Sequence, residues 1–145
     1  MFSFKEEKIL SYNNIDLKNI IMDVEKYPEF LPWCEKVKII KKYEDGFEAD
    51  LTILYKKIRK SYISKTNLEE NENYIKINTD SSAGLFKNLH SCWKLEKISD
   101  NKTLIHFQIY FELSSAFLTK ILGIFFKNAN KKMVKSFENR LKILK

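Results

Sequence analysis

A chain of 145 residues, 44% hydrophobic and 31% charged, has the length of one domain, enough apolar surface for a single core, and a globular composition that excludes a disordered chain. Three glycines, two prolines and two cysteines exclude collagen-like, linker-rich and disulfide-stapled chains, and no run of 18 apolar residues is present to span a bilayer as a helix. The formal charge of +7, from 26 basic and 19 acidic residues, has two readings: the lysine-rich usage of an AT-rich genome, or attraction to an anionic partner such as a phospholipid surface or RNA.

The start, Met1-Phe-Ser-Phe-Lys-Glu-Glu-Lys8, places acids where a signal or transit peptide would be basic and then apolar, so it reads as mature protein. Residues 2–11 suit an edge strand ending at the turn signal Tyr12-Asn-Asn14. Asn14 or Asp16 can cap a helix that runs to about Val24, with Ile20, Ile21 and Val24 at helical spacing. Two prolines four apart, Pro28 and Pro32, then stop the helix and set an aromatic-rich corner.

From residue 35 to 113 the pattern is that of six strands. Val37 and Ile39 alternate with lysines, and Asp45-Gly46 signals a hairpin. Phe47, Ala49, Leu51, Ile53 and Tyr55 share one face, and residues 59–68 are more polar. A polar turn at 69–73 precedes a short strand at 74–79, and Ser81-Ser-Ala-Gly84 reads as a loop. Leu89, Ser91, Trp93 and Leu95 share the inward face of the next strand. After a turn at Ser99-Asp-Asn-Lys102, Ile105, Phe107, Ile109, Phe111 and Leu113 form the cleanest period-2 stripe in the chain.

Ser114 or Ser115 can cap a last helix of about 30 residues. Leu118, Leu122, Phe126, Ala129, Met133, Phe137, Leu141 and Leu144 fall on one broad face, the face expected against the sheet. A second stripe, Phe117, Ile121 and Ile124, exists only at the N-terminal end, and the same outer face continues as Asn128, Lys131 and Lys135. An apolar tip followed by lysines suits a membrane interface; packing on the Tyr27–Trp33 corner or on a second copy of the chain is the alternative.

Motifs of catalysis are missing. The sequence has no glycine-rich phosphate loop, no GxSxG and no HExxH. By strand parity His90 and His106 point away from the core face, as do Asp50 and Glu112, so neither a metal site nor a buried carboxylate pair is expected. Cys34 has no histidine placed to activate it. The inward positions are apolar and aromatic, so the interior either packs solid or leaves an apolar cavity suited to a lipid or quinone tail. A cyclase or hydrolase would need polar groups inside, for which Tyr55, Ser91, Tyr62, Ser64 and Thr66 are the candidates.

The segment Val24-Glu-Lys-Tyr-Pro-Glu-Phe-Leu-Pro-Trp-Cys34 resembles the coenzyme-Q-binding START-domain family, whose helix ends in Val-x-x-Tyr-Pro-x-Phe-Leu-Pro-x-Cys; every position matches. Gly84-Leu-Phe-Lys-Asn-Leu-His-Ser-Cys-Trp93 is similar to the family's Gly-Pro-Phe-x-x-Leu segment leading to a tryptophan, and Phe111-Glu-Leu113, Phe126-Lys127 and Met133-Val-Lys-Ser-Phe137 follow in order. Leu85 stands in place of the family's usual proline, a change expected to loosen the loop over the cavity mouth. Ser91 and Cys92 stand where small glycines are common, which is expected to narrow the cavity.

The resemblance implies an α+β helix-grip fold in a single START-like domain over residues 1–145: a seven-stranded antiparallel sheet wrapped around a long C-terminal helix, with an apolar cavity between them. It implies no enzyme and no catalytic cofactor, but binding of ubiquinone or a similar prenyl lipid in support of respiratory electron transport. The expected cavity and lip residues are Tyr27, Phe30, Leu31, Pro32, Trp33, Phe47, Leu51, Ile53, Tyr55, Trp93, Phe107, Ile109, Phe111, Leu118, Leu122 and Phe126. The expected membrane-docking residues are Phe117, Ile121, Ile124, Lys131 and Lys135, which fits a bacterial cytoplasmic protein peripheral at the inner leaflet. Some members are RatA-like inhibitors of ribosomal subunit association, so the large ribosomal subunit is the alternative partner. The superfamily also contains polyketide cyclases, so fold alone does not choose the function.

Overall fold

The computed structural model describes residues 1–145. Strand β1 (Phe2–Leu10) leads into helix α1 (Asn14–Met22) and a 3-10 turn (Val24–Glu29). Six strands follow: β2 (Cys34–Tyr43), β3 (Gly46–Tyr55), β4 (Ile58–Glu70), β5 (Tyr74–Ser81), β6 (Phe86–Ser99) and β7 (Lys102–Leu113). Helices α2 (Ala116–Lys131) and α3 (Met133–Leu144) end the chain. All strand pairs are antiparallel, in the order β1-β7-β6-β5-β4-β3-β2. Strands β2 to β7 form a meander, α1 and the 3-10 turn carry the chain from one sheet edge to the other, and the C-terminal helices cover one face. This is the helix-grip fold that the resemblance implies and with which the strand and helix order read from the sequence agrees.

Local chemistry explains most boundaries and corrects some expectations. The cap of α1 is Asn13, whose side chain accepts from the Ile15 N–H at 2.8 Å; Asn14 is buried and Asp16 pairs with Lys145 at 2.8 Å. The β2–β3 loop is Glu44-Asp45, and Gly46 opens β3 instead of turning the hairpin. Glycine is required there by close approach, since a Cβ would lie 1.9 Å from the Thr66 carbonyl oxygen. Lys56-Lys57 closes the β3–β4 hairpin with no glycine, and Lys56 takes the left-handed conformation (φ 56°). Leu85 does not loosen its loop: it is buried, its N–H donates to Ser61 O and its carbonyl accepts from Ser114 N–H.

The single long C-terminal helix is two helices. Ser115 caps α2 by accepting from the Leu118 N–H, and the axis breaks at Lys132. No proline or glycine lies at the break. The Ser136 hydroxyl instead donates to the Lys132 carbonyl one turn back, a bond that bends helices. The bend lets Leu122 and Phe126 face one part of the sheet while Val134, Phe137 and Leu141 face another. Leu144, expected on the covered face, is 56% exposed, and Val134, absent from the expected stripe, is fully buried. Gly123 allows α2 to approach β1, because a Cβ there would lie 2.8 Å from the Phe2 ring.

Buried side chains form three clusters rather than one continuous core. The largest joins α1 and α3 to β5, β6 and β7 around Leu17, Leu95 and Ile105. A second seats α2 on the Leu85–Phe86 corner and on Phe111 and Leu113. The third packs the 3-10 turn and Leu31 on Phe47, Ala49 and Leu51 of β3.

Candidate functional site

The three clusters meet around an internal cavity. Its walls take Ile77, Trp93 and Phe137 from the first cluster, Phe86, Phe111 and Phe126 from the second, and Val24, Leu31, Phe47 and Leu51 from the third. Of 24 lining residues 19 are hydrophobic, and none is Asp, Glu, Lys, Arg or His. The free volume is about 100 Å³. Pockets for drug-sized ligands hold roughly 300–1,000 Å³, so a ligand of that size would enter only as the walls part.

Ten expected residues line the cavity: Tyr27, Leu31, Trp33, Phe47, Leu51, Trp93, Phe107, Ile109, Phe111 and Phe126. Six do not. Phe30 packs edge-on against Phe137, with Arg140 over its ring. Pro32 is exposed, and Tyr55 stacks on Phe125 with ring centroids 4.1 Å apart. Ile53 and Leu122 are fully buried within the α2 cluster, and Leu118 packs against that cluster's flank. Pattern reading assigns these positions to the correct face but cannot say where along that face the packing opens.

The polar lining consists of Tyr27, Tyr62, Ser64, Thr66, Thr79, Ser91 and Asn130. The Tyr27 hydroxyl donates to the Ile21 carbonyl, tying the 3-10 turn to α1. Burial pushes both the Tyr27 and the Tyr62 phenol far up, so each remains a neutral O–H. Burial also pushes the Cys34 thiol up to about 11, which leaves it without nucleophilic character. Thr79 and Asn130 were missed in the sequence. Thr79 shares the parity of Ile75 and Ile77, which is the signal that finds it; Asn130 continues the Leu122 and Phe126 spacing, where an asparagine reads as a solvent residue.

Both histidines lie on the outer sheet face. His90 meets Asp80 at 2.7 Å, and His106 is held between Glu7 and Glu96 at 3.2 and 3.1 Å. The arrangement therefore places no proton donor–acceptor pair of titratable groups on the cavity wall, and the chemistry that the wall offers is apolar enclosure with a few hydroxyls.

At the N-terminal end of α2, Phe117 is 69% and Ile124 71% exposed, whereas Ile121 is half-buried in the α2 cluster and does not share their exposure. Lys120, Lys127 and Lys131 are exposed on the same helix, which contains no acidic residue. Lys135 is exposed on α3 and pairs with Glu138 at 3.3 Å. No helix is long and apolar enough to cross a membrane.

Comparison with known proteins agrees with this geometry. The family described as polyketide cyclase / dehydrase and lipid transport matches residues 19–138. The ribosome association toxin RatA of Rickettsia prowazekii is 34% identical over 144 residues, covering 98% of this chain and 97% of that protein. The mitochondrial coenzyme Q-binding protein COQ10 of Dictyostelium discoideum is 32% identical over 136 residues, covering 92% of this chain and 65% of that longer protein. Among solved structures, a START superfamily protein from Mycobacterium smegmatis superposes with a TM-score of 0.78 at 15% identity, over 99% of both chains. With the family matched over most of its length and the helix-grip topology in place, the chain belongs to the polyketide cyclase / dehydrase and lipid transport family and carries its START-like fold.

Proposed function

We propose that the protein is a non-enzymatic carrier that takes a prenyl lipid of the ubiquinone class between its sheet and its C-terminal helices, in support of respiratory electron transport. The observation that carries this is the cavity wall: apolar and aromatic on nearly every side, with hydroxyls but no titratable acid–base pair. Burial of an isoprenoid tail is worth about 25 cal/mol per Å² of apolar surface, less the cost of ordering the tail. That cost and the work of opening the walls set the affinity. The break at Lys132 divides the covering helices, so α2 can move without unseating α3 from the first cluster. The exposed Phe117 and Ile124, with Lys120, Lys127 and Lys131 on the same helix, suit transfer at an anionic bilayer surface.

The test is extraction from vesicles. Protein incubated with anionic liposomes containing ubiquinone is released from them at high salt, separated by flotation and assayed for quinone in the vesicle-free protein fraction. Stoichiometric uptake supports the carrier; none refutes it.

A second reading has its own observation. The similarity to RatA spans nearly the whole of both chains, and the surface is rich in lysine. A ribosome-binding protein of this kind co-sediments with large ribosomal subunits at low salt and is released steeply as salt rises. Absence of binding at low salt excludes it.

A further inference from the structure

Along one transverse row of the sheet the cavity wall is polar on three strands in succession. Thr66 of β4 faces Thr79 of β5, and Thr79 faces Ser91 of β6. The row continues into Phe47 on one side and Ile109 on the other, so three hydroxyls on three adjacent strands sit between two large apolar side chains. All three line the cavity. The row on one side, Ile77, Trp93 and Phe107, is wholly apolar, and on the other side Ser64 of β4 adds a further hydroxyl to the cavity wall. Thr66 and Thr79 share one hydrogen bond of 2.9 Å, which leaves the accepting hydroxyl with its own proton to give. Asn130 lines the same cavity from α2, 5% exposed, with a carboxamide able to donate twice and accept twice.

Packing does not explain this row. Valine fills a threonine's space and is favoured in strands, and alanine replaces serine with little loss of shape. Hydroxyls in an apolar chamber are costly unless something pairs with them.

From this placement we infer that the Thr66–Thr79–Ser91 row, with Asn130 across from it, is the recognition site for the oxygen-bearing head group of the ligand, a ring carrying carbonyl or ether oxygens. The inference rests on the cavity being a lipid site and adds which end of the lipid is read, and by which groups. The apolar walls hold the tail without discriminating it, whereas the hydroxyl row adds affinity for a ligand whose oxygens can pair with it.

The experiment uses two probes with similar tails: ubiquinone with a two-isoprene tail, and farnesene, a prenyl hydrocarbon with no oxygen. Bound probe is quantified after rapid gel filtration over a concentration series, for the unaltered chain and for Thr79→Val, Ser91→Ala and Asn130→Leu. Thermal melts establish that each variant is folded; Thr79→Val and Ser91→Ala preserve shape and keep the test valid if Asn130→Leu fails to fold. The expected result is a loss of about three- to ten-fold in ubiquinone affinity per variant, with farnesene affinity unchanged. Equal changes for both probes, or no change for either, overturn the head-group assignment while the cavity reading stands. Failure of the unaltered chain to bind either probe overturns both.

Discussion

Phe30 and Phe137 meet edge to face, with ring centroids 5.1 Å apart and planes at 85°. The same Phe137 ring meets Tyr27 at 5.4 Å and Trp93 at 5.1 Å. The proline-rich corner after α1 is thus a clamp on the C-terminal helix as well as a rim of the cavity. Pro28 lies inside the 3-10 turn, so the corner that presents Tyr27 and Phe30 has little freedom to lose on folding. Phe137→Ala removes the ring shared by these contacts. It is expected to lower stability by about 3–5 kcal/mol, as large-to-small aromatic changes in cores do, read as a lower urea midpoint. A loss below about 1 kcal/mol would mean that the clamp is not a stability element.

The α2 tip gives a prediction at the membrane. Phe117→Ser with Ile124→Ser removes two exposed apolar side chains, so the fold should melt unchanged, while recovery with anionic liposomes in flotation should fall at least several-fold. Ile121 is left in place because it packs against the α2 cluster. Unchanged flotation of the double variant assigns membrane contact to another surface.

Glu138 gives a pH prediction. Burial pushes its carboxyl up, but the Lys8 and Lys135 ammonium groups, at 3.0 and 3.3 Å, outweigh this and hold it below the usual carboxylate range. A depressed folded-state value stabilises the protein above the carboxylate's unfolded value, and that contribution is lost as pH falls through the folded value. Glu138→Gln should therefore cost about 0.5–1 kcal/mol at pH 7 and almost nothing well below the carboxylate range. Urea titrations at the two pH values measure the difference; an equal cost at both would assign the effect to packing.

Cys34 gives a chemical prediction. With its thiol near 11, only about one molecule in a thousand is thiolate at pH 8. Alkylation of Cys34 by iodoacetamide should be about two hundred-fold slower than that of an ordinary cysteine and should rise with pH up to that value. Site-resolved mass spectrometry measures the rate. Rapid modification of the native protein would show that the corner around Leu31 and Trp33 opens readily.

The sheet was legible from strand parity, because one face is buried and a slip of one residue would turn Phe107 or Phe111 out to water. The helix break was not legible: no proline or glycine marks it, and Ser136, whose hydroxyl bonds back to the Lys132 carbonyl there, looks the same in a straight helix. Ile53, Tyr55, Leu118 and Leu122, expected in the cavity wall but packed elsewhere, show a second limit. Leu51 and Ile53 share a strand and a face, yet one lines the cavity and the other is sealed under α2. That difference is set by where α2 sits, which depends on the approach of Gly123 to Phe2. The hydroxyl row was half visible, since Thr66 and Ser91 have inward parity, but its continuity through Thr79 depends on the register of three strands.

Native mass spectrometry of the protein as purified, followed by organic extraction, tests the central claim most directly. A prenyl-lipid carrier should retain a fraction of its ligand, seen as a discrete added mass that yields a quinone or related prenyl lipid on extraction. An empty protein that also stays empty after incubation with two-isoprene ubiquinone would contradict the carrier function and leave association with the large ribosomal subunit as the activity to pursue.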